Sequence, residues 1–390
     1  MHPSLCHLYL SGMKLLLITL IAPGLLLSSG ANAQDATTWY NEGVQLKEQK
    51  KIAQAIEKFK KAISLKSDYT AALYEAGWCH NDLKEYSNAI ASLRKARTGW
   101  PSVPKVYFEL GYAFEKQGQI DSAISIYNKC LELKPDYSLA FKQLGYIFYA
   151  REDYTGALEK FKKYEEAAKT TIIDYLYWYR KGFSYNAIKE YNSAKLALNK
   201  SLEFKTDYSS TYLELGFACT KLKQDEEAIG YFKKAAGIDP KSHIPTNGIA
   251  EVYRDNKRDM NEAMNWYKKT LALNPTERKA CFGMGYCLNS QQKYTEAIPY
   301  LRTAIEKEPT YTAAYVELGY SLYKTQSLTE AEEKLKKAIS LNAKNENARY
   351  YLALLYIGQK NKAKAQQMVN ELKTLSSNHV ESLQAKVIAM

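Results

Sequence analysis

Glycine and alanine recur at one fixed interval along this chain of 390 residues, and no other feature restricts its fold so tightly. Gly43, Gly77, Gly111 and Gly145 stand 34 residues apart, Gly182 follows after 37, and Gly216 after a further 34. Ala250 fills the next slot; Gly285, Gly319 and Ala353 come at steps of 35, 34 and 34. Twelve residues beyond each slot lies an alanine: Ala55, Ala89, Ala123, Ala157, Ala194, Ala228, Ala263, Ala297, Ala331 and Ala365, with only the seventh interval stretched to 13. A period of this size is the signature of stacked supersecondary units, none of which can bury its apolar face alone.

Counting the slot as position 8, position 4 is Trp39, Leu73, Tyr107, Phe141, Trp178 and Tyr212 in the first six units. Position 7 holds Leu110, Leu144, Leu215, Leu318 and Leu352; position 11 holds Phe114, Phe148, Tyr185 and Tyr253. Spacings of three and four residues put these side chains on one face of a helix. A second helix has its own stripe: the alanine at position 20 and, at position 24, Phe59, Leu93, Tyr127, Phe161, Leu198, Phe232, Tyr267, Leu301, Leu335 and Val369. Proline at position 32 in five units (Pro101, Pro135, Pro240, Pro275, Pro309) stops that helix. A glycine inside a helix costs about 1 kcal/mol relative to alanine. Its recurrence therefore implies a close approach, in which positions 8 and 20 let the two helices of one unit come near.

With W/Y–L–G–Y…A…F…A…P at a 34-residue period, the chain resembles the tetratricopeptide-repeat family from about residue 36 to about 379. The resemblance implies an all-α, right-handed α-solenoid of about ten helix-turn-helix units, starting near residues 36, 70, 104, 138, 175, 209, 243, 278, 312 and 346. Departures are modest. Residues 172–174 are an insertion, repeat seven is the most degenerate, and residues 380–390 read as the start of a capping helix. At 46% apolar and 25% charged, the chain has the balance of a folded protein, and ten prolines and 19 glycines suit helices.

The resemblance also implies that positions 2, 5, 9, 12 and 13 of each first helix face a concave groove. Position 9 is aromatic in seven of ten repeats: Trp78, Tyr112, Tyr146, Phe183, Phe217, Tyr286 and Tyr320. Position 5 adds Tyr40, Tyr74, Phe108, Tyr179 and Phe282, with Tyr350 near the end, and position 12 adds Tyr149 and Tyr323. An apolar stripe of that size is unusual unless something covers it, and tyrosine is enriched at interfaces. One reading is a groove for an extended or helical segment of a protein or peptide partner. A second is internal packing that stiffens the solenoid, and a third is a cell-wall or surface glycan. A self-assembling solenoid, its groove filled by another copy, is a further alternative. Glu251, Arg254 and Asp255 break the ladder in repeat seven, either through degeneration or as polar specificity groups. No position 9 is asparagine, so the carboxylate-clamp mode of the family is not expected.

Catalytic chemistry is not indicated. Beyond residue 33 there are three histidines, His80, His243 and His379, in three different repeats, and no phosphate loop or nucleophile elbow. Cys79, Cys130, Cys219, Cys281 and Cys287 form no CxxC pair and fall at packing positions, so neither a disulfide framework, a metal site nor a cofactor is expected. Residues 1–33 read as a secretory signal, with Met13 as initiator, basic Lys14, the apolar run Leu15–Leu27 and Ala31-Asn32-Ala33 before the cleavage point. The protein is thus expected to be exported, periplasmic or extracellular. Net charge is +12, much of it in doublets at positions 25 and 26 such as Lys60-Lys61, Arg94-Lys95 and Lys233-Lys234. These read as a solvated outer ridge, with contact to an anionic envelope surface as the alternative; export argues against nucleic acid.

Overall fold

The computed structural model describes residues 35–168, 170, 172 and 174–390. The export signal expected at residues 1–33 lies outside them. The chain forms helical hairpins in two compact units, Met1–Ile172 and Ile173–Met390. The boundary falls at the insertion between repeats four and five.

The first unit holds four hairpins: α1 (Ala36–Glu48) with α2 (Ile52–Leu65), α3 (Thr70–Asp82) with α4 (Tyr86–Gly99), α5 (Pro104–Lys116) with α6 (Ile120–Leu133), and α7 (Ser138–Ala150) with α8 (Tyr154–Ala167). The second unit holds six. They are α9 (Tyr175–Ala187) with α10 (Tyr191–Phe204), α11 (Ser209–Lys221) with α12 (Asp225–Ile238), and α13 (Ile244–Glu251) with α14 (Met260–Leu273). Then come α15 (Arg278–Ser290) with α16 (Tyr294–Lys307), α17 (Thr312–Lys324) with α18 (Leu328–Leu341), and α19 (Glu346–Gly358) with α20 (Lys362–Thr374). A last helix, α21 (Val380–Ile388), buries Leu383 and Val387 against the end of the stack, as a cap should. Within each unit a first helix packs on its own second helix, which packs on the next first helix; successive first helices also touch, as α3 does α5 and α17 does α19. Among the described residues no helix is long and apolar enough to cross a membrane.

The glycine slot is explained by its neighbour. A Cβ on Gly43 would lie 2.6 Å from the Phe59 ring, on Gly145 2.4 Å from Phe161, and on Gly319 2.6 Å from Leu335 Cγ. What would meet a Cβ there is chiefly the large position-24 side chain of the second helix, which fills the space that the small residues at positions 8 and 20 leave between the helices. All ten position-20 alanines are fully buried. The exceptions conform: Ala353 shares its repeat and its buried cluster with Val369, the smallest position-24 residue. Ala250 shares its repeat with Tyr267, whose ring leans instead to 2.2 Å from where a Cβ on Gly283 would be.

The turn between the two helices of a repeat is a left-handed cap. Lys50, Lys84, Gly118, Glu152, Lys189, Lys223, Arg258, Gln292, Gln326 and Lys360 have φ between 56° and 82°, and only one is glycine. Each non-glycine residue there costs about 1 kcal/mol. Backbone bonds such as Gln119 N–H to Phe114 O at 2.9 Å hold the motif. In repeat seven the extra residue is absorbed within the first helix, which widens into a π-helix over Val252–Lys257.

The basic doublets are only partly solvated ridge. Lys61 lies 4.2 Å over the Trp39 ring, Lys269 3.7 Å over Trp266, and Lys163 and Lys234 6.0 and 5.7 Å over Phe141 and Tyr212. The second lysine of each such doublet therefore covers an aromatic of its own repeat's helices, worth roughly 0.5–1 kcal/mol at an exposed site. The five cysteines among the described residues are buried free thiols, as their positions suggested.

Candidate functional site

The position-9 aromatics are neither wholly buried nor free. Trp78, Tyr112, Tyr146, Phe183, Tyr286 and Tyr320 are half-buried, and Phe217 is 40% exposed. Three of them pack edge-on against a tyrosine that opens the preceding repeat's second helix: Tyr112 on Tyr86 at 6.5 Å, Phe217 on Tyr191 at 6.1 Å, Tyr320 on Tyr294 at 5.5 Å. Others pack within their own repeat, as Tyr146 does on Phe161 and Phe183 on Tyr179. Tyr320 is in addition stacked on Tyr351, ring centres 4.5 Å apart, so these residues stiffen the stack while staying partly exposed as a set.

Position 5 divides. Tyr40, Tyr179 and Phe282 are half-buried, each against a tyrosine at the end of its own repeat, Tyr69, Tyr208 and Tyr311, with ring centres 5.2, 5.2 and 5.0 Å apart. Tyr74 and Phe108 are only 9% and 7% exposed, so they belong to the core and leave a partner little more than an edge. Phe108 lies between Tyr127 and Tyr137. At position 12, Tyr149 stacks edge-on against Tyr154, and half-buried Tyr323 packs on the core of the second unit.

Two sets of tyrosines escape a reading confined to the inward positions. Position 34 supplies Tyr69, Tyr137, Tyr208 and Tyr311; position 17 supplies Tyr86, Tyr154, Tyr191 and Tyr294. Both recur in register with the glycines, which was the available signal. They account for eight of the 33 tyrosines, and each ring pair adds roughly 0.5–1.5 kcal/mol beyond burial.

Buried amide–carboxylate pairs tie neighbouring first helices together. Asn81 Nδ2 donates to both the Glu109 carboxylate (2.9 Å) and its backbone carbonyl (3.0 Å). Asn186 does the same to Glu214 at 2.8 and 3.0 Å, and Asn289 to Glu317 at 2.8 and 3.1 Å. Burial pushes the Glu109 carboxyl up to about 7 against the lowering effect of Asn81, and raises Glu214 and Glu317 for the same reason.

The polar break in repeat seven sits on and beside the π-helix. Arg254 forks onto Asp255 at 2.6 and 2.7 Å while its guanidinium lies 5.7 Å from the Phe282 ring and 5.9 Å from that of Tyr286. Glu251 accepts from Asn247 at 3.0 Å. The π turn brings this cation onto the aromatic face of the next repeat, so the three residues are integrated with the ladder. Among the described residues no group of three or more His, Cys, Asp or Glu side chains could hold a metal ion.

Models described as tetratricopeptide repeat match residues 104–137 and 209–242, residues 322–387, and residues 31–104 and 288–346, together more than half of the chain. No curated protein matches the chain at a significant level. Among solved structures, the C-terminal part of a TPR repeat-containing protein from Cytophaga hutchinsonii is 23% identical with a TM-score of 0.49, over 63% of this chain and 99% of that one. YrrB, described as a TPR protein with an unusual peptide-binding site, is 23% identical with a TM-score of 0.43, over 49% of this chain and 97% of its own. Yeast Tom70 is 16% identical with a TM-score of 0.45, over 91% and 94%.

Proposed function

Because this chain belongs to the tetratricopeptide-repeat family, we propose that it is a non-catalytic interaction scaffold that seats a segment of a partner protein along the aromatic face of its first helices. One observation carries this reading: the position-9 rings pack against neighbouring aromatics and yet stay partly exposed, repeat after repeat. Side chains held in place before binding give up little entropy when a partner arrives, so contact area converts into affinity efficiently. The signal-like segment at residues 1–33 supports work in the cell envelope or outside it. No dense set of Asp, Asn and Gln accompanies the open rings, which favours a peptide over a glycan.

The test is the variant with alanine at Tyr112, Tyr146 and Tyr286 together. Far-UV circular dichroism should be unchanged, and cross-linking to the wild-type partner set from the source organism's envelope should be lost. Undiminished capture would refute the groove. Retention of the variant and wild type alike on purified cell-wall material would move the reading to a glycan, and concentration-dependent light scattering of pure wild type to self-assembly.

A further inference from the structure

Position 11 of the first helix is apolar or aromatic in nine of the ten repeats, as in Phe114, Phe148 and Leu288; in repeat two it is His80. The His80 side chain is only 7% exposed, and its Nδ1 donates to the Glu85 carboxylate at 2.6 Å. That bond, with a weaker one from Asn88 at 3.3 Å, holds the Glu85 carboxyl below its usual range, so Glu85 stays ionised and the proton stays on Nδ1. Nε2 has no partner among the described residues. A packing position needs neither the imidazole nor the carboxylate that fixes it.

One repeat further on, Phe114 packs under Arg94 of α4, whose guanidinium lies 5.4 Å from the ring. At His80 the equivalent place, between α2 and α4, is an open cleft of about 310 Å³, at the lower end of the roughly 300–1,000 Å³ typical of ligand sites. Ile63, Leu73, Ala76 and Ala91 make its apolar bed, and His80, Asn88, Ser92, Lys60 and Lys95 supply the polar groups. Lys60 shares its charge with Glu57 at 3.0 Å, whereas Lys95 forms no ion pair and the Ser92 hydroxyl no hydrogen bond among the described residues. The cleft therefore offers one free ammonium, one free hydroxyl and one free ring nitrogen. With Glu57 and Glu85 already offsetting part of the positive charge, this set suits a single negative charge better than two.

We propose that this cleft on the outer face binds a carboxylate carried on a short apolar stem. The stem lies on Ile63, Leu73, Ala76 and Ala91, and the carboxylate accepts from Lys95, Ser92 and His80 Nε2. An anion at Nε2 keeps a second proton, taken from solvent, on the ring; the imidazolium then donates to Glu85 on one side and to the ligand on the other. A small free acid and the carboxyl end of a protein chain share this chemistry. The lining residues of α3 occupy positions 4, 7 and 11, none of them an inward position, so the site stands or falls apart from the groove reading.

Titration of the full chain with sodium hexanoate, and with acetyl-Ala-Leu bearing a free carboxylate, tests it by NMR of the histidine rings. The His80→Phe variant identifies the His80 signals. At least one of the two acids should shift them saturably, with both ring nitrogens protonated in the complex. Hexanol, the amide of the dipeptide and inorganic phosphate should each bind about tenfold more weakly or less, because each lacks either the charge or the stem. Lys95→Met, at an exposed position, should weaken binding about tenfold. His80→Phe, which installs the residue repeat three holds there, should abolish it with unchanged circular dichroism. Preference for hexanoate assigns the site to a small acid, and preference for the dipeptide to a chain terminus. No saturable shift with either acid, equal binding of hexanol or phosphate, a neutral His80 ring in the complex, or affinity unmoved by Lys95→Met overturns the proposal.

Discussion

Gly319→Ala should destabilise its repeat even though alanine is the better helix former, and Leu335→Val should rescue it. Alanine gains about 1 kcal/mol of helix propensity. Its Cβ, however, would sit 2.6 Å from Leu335 Cγ and 2.7 Å from Cδ2, and Leu335 is fully buried with nowhere to retreat. Comfortable carbon contacts need roughly 3.5–4.0 Å, so about 1 Å must be found between α17 and α18. Overpacking of that kind costs about 1–3 kcal/mol, leaving a net loss near 1 kcal/mol. Leu335→Val alone removes one buried methylene and should cost about 1 kcal/mol. Together the two changes recreate the Ala353–Val369 pair of repeat ten, whose members are 0% and 1% exposed. The double variant should therefore be more stable than the sum of the single changes by at least about 1 kcal/mol. Because each repeat answers mainly to its neighbours, the sensitive assay is native-state hydrogen exchange of the α17 amides. Additivity within about 0.5 kcal/mol would refute the account, since it would mean that glycine at position 8 is not there to admit the position-24 side chain.

Two further predictions concern the amide–carboxylate pairs. Glu109 binds its proton more tightly folded than unfolded, so its contribution is fully present below its ordinary 4.5 and is lost as pH rises through about 7. Glu109→Gln should match wild type near pH 4.5 and exceed it by on the order of 3 kcal/mol at pH 8 in denaturant titrations; a constant difference across that range would refute the burial argument. Second, Ser321 donates to Asn289 Oδ1 at 2.6 Å, whereas the Asn81 and Asn186 Oδ1 atoms are buried without a partner because the equivalent residues are Ala113 and Ala218. Ala218→Ser should stabilise by about 1 kcal/mol and Ser321→Ala should destabilise by about 1–3 kcal/mol, both read from thermal melts; no change in either would mean that the orphaned acceptor carries no cost.

The architecture was legible in the sequence because its cause is local. A period of 34 residues, two amphipathic stripes and a recurring small residue specify a helical hairpin and its stacking before any long-range contact is known. The packing role of the five cysteines followed from the same register. The partner of each glycine was not legible: position 20 and position 24 lie on the same stripe, and only the approach of the helices shows that the large side chain fills the glycine's space. For the same reason the exposed aromatic face was overdrawn at Tyr74 and Phe108, whose burial depends on Trp100 and Tyr137 arriving from other parts of the hairpin. The extra residue in repeat seven was visible as a stretched interval, yet its absorption as a π turn that carries Arg254 onto Phe282 and Tyr286 is a choice of tertiary packing. Sequence periodicity determined which residues share a helix face; the structure decided how much of each ring stays exposed, because that depends on neighbours contributed by the adjoining repeat.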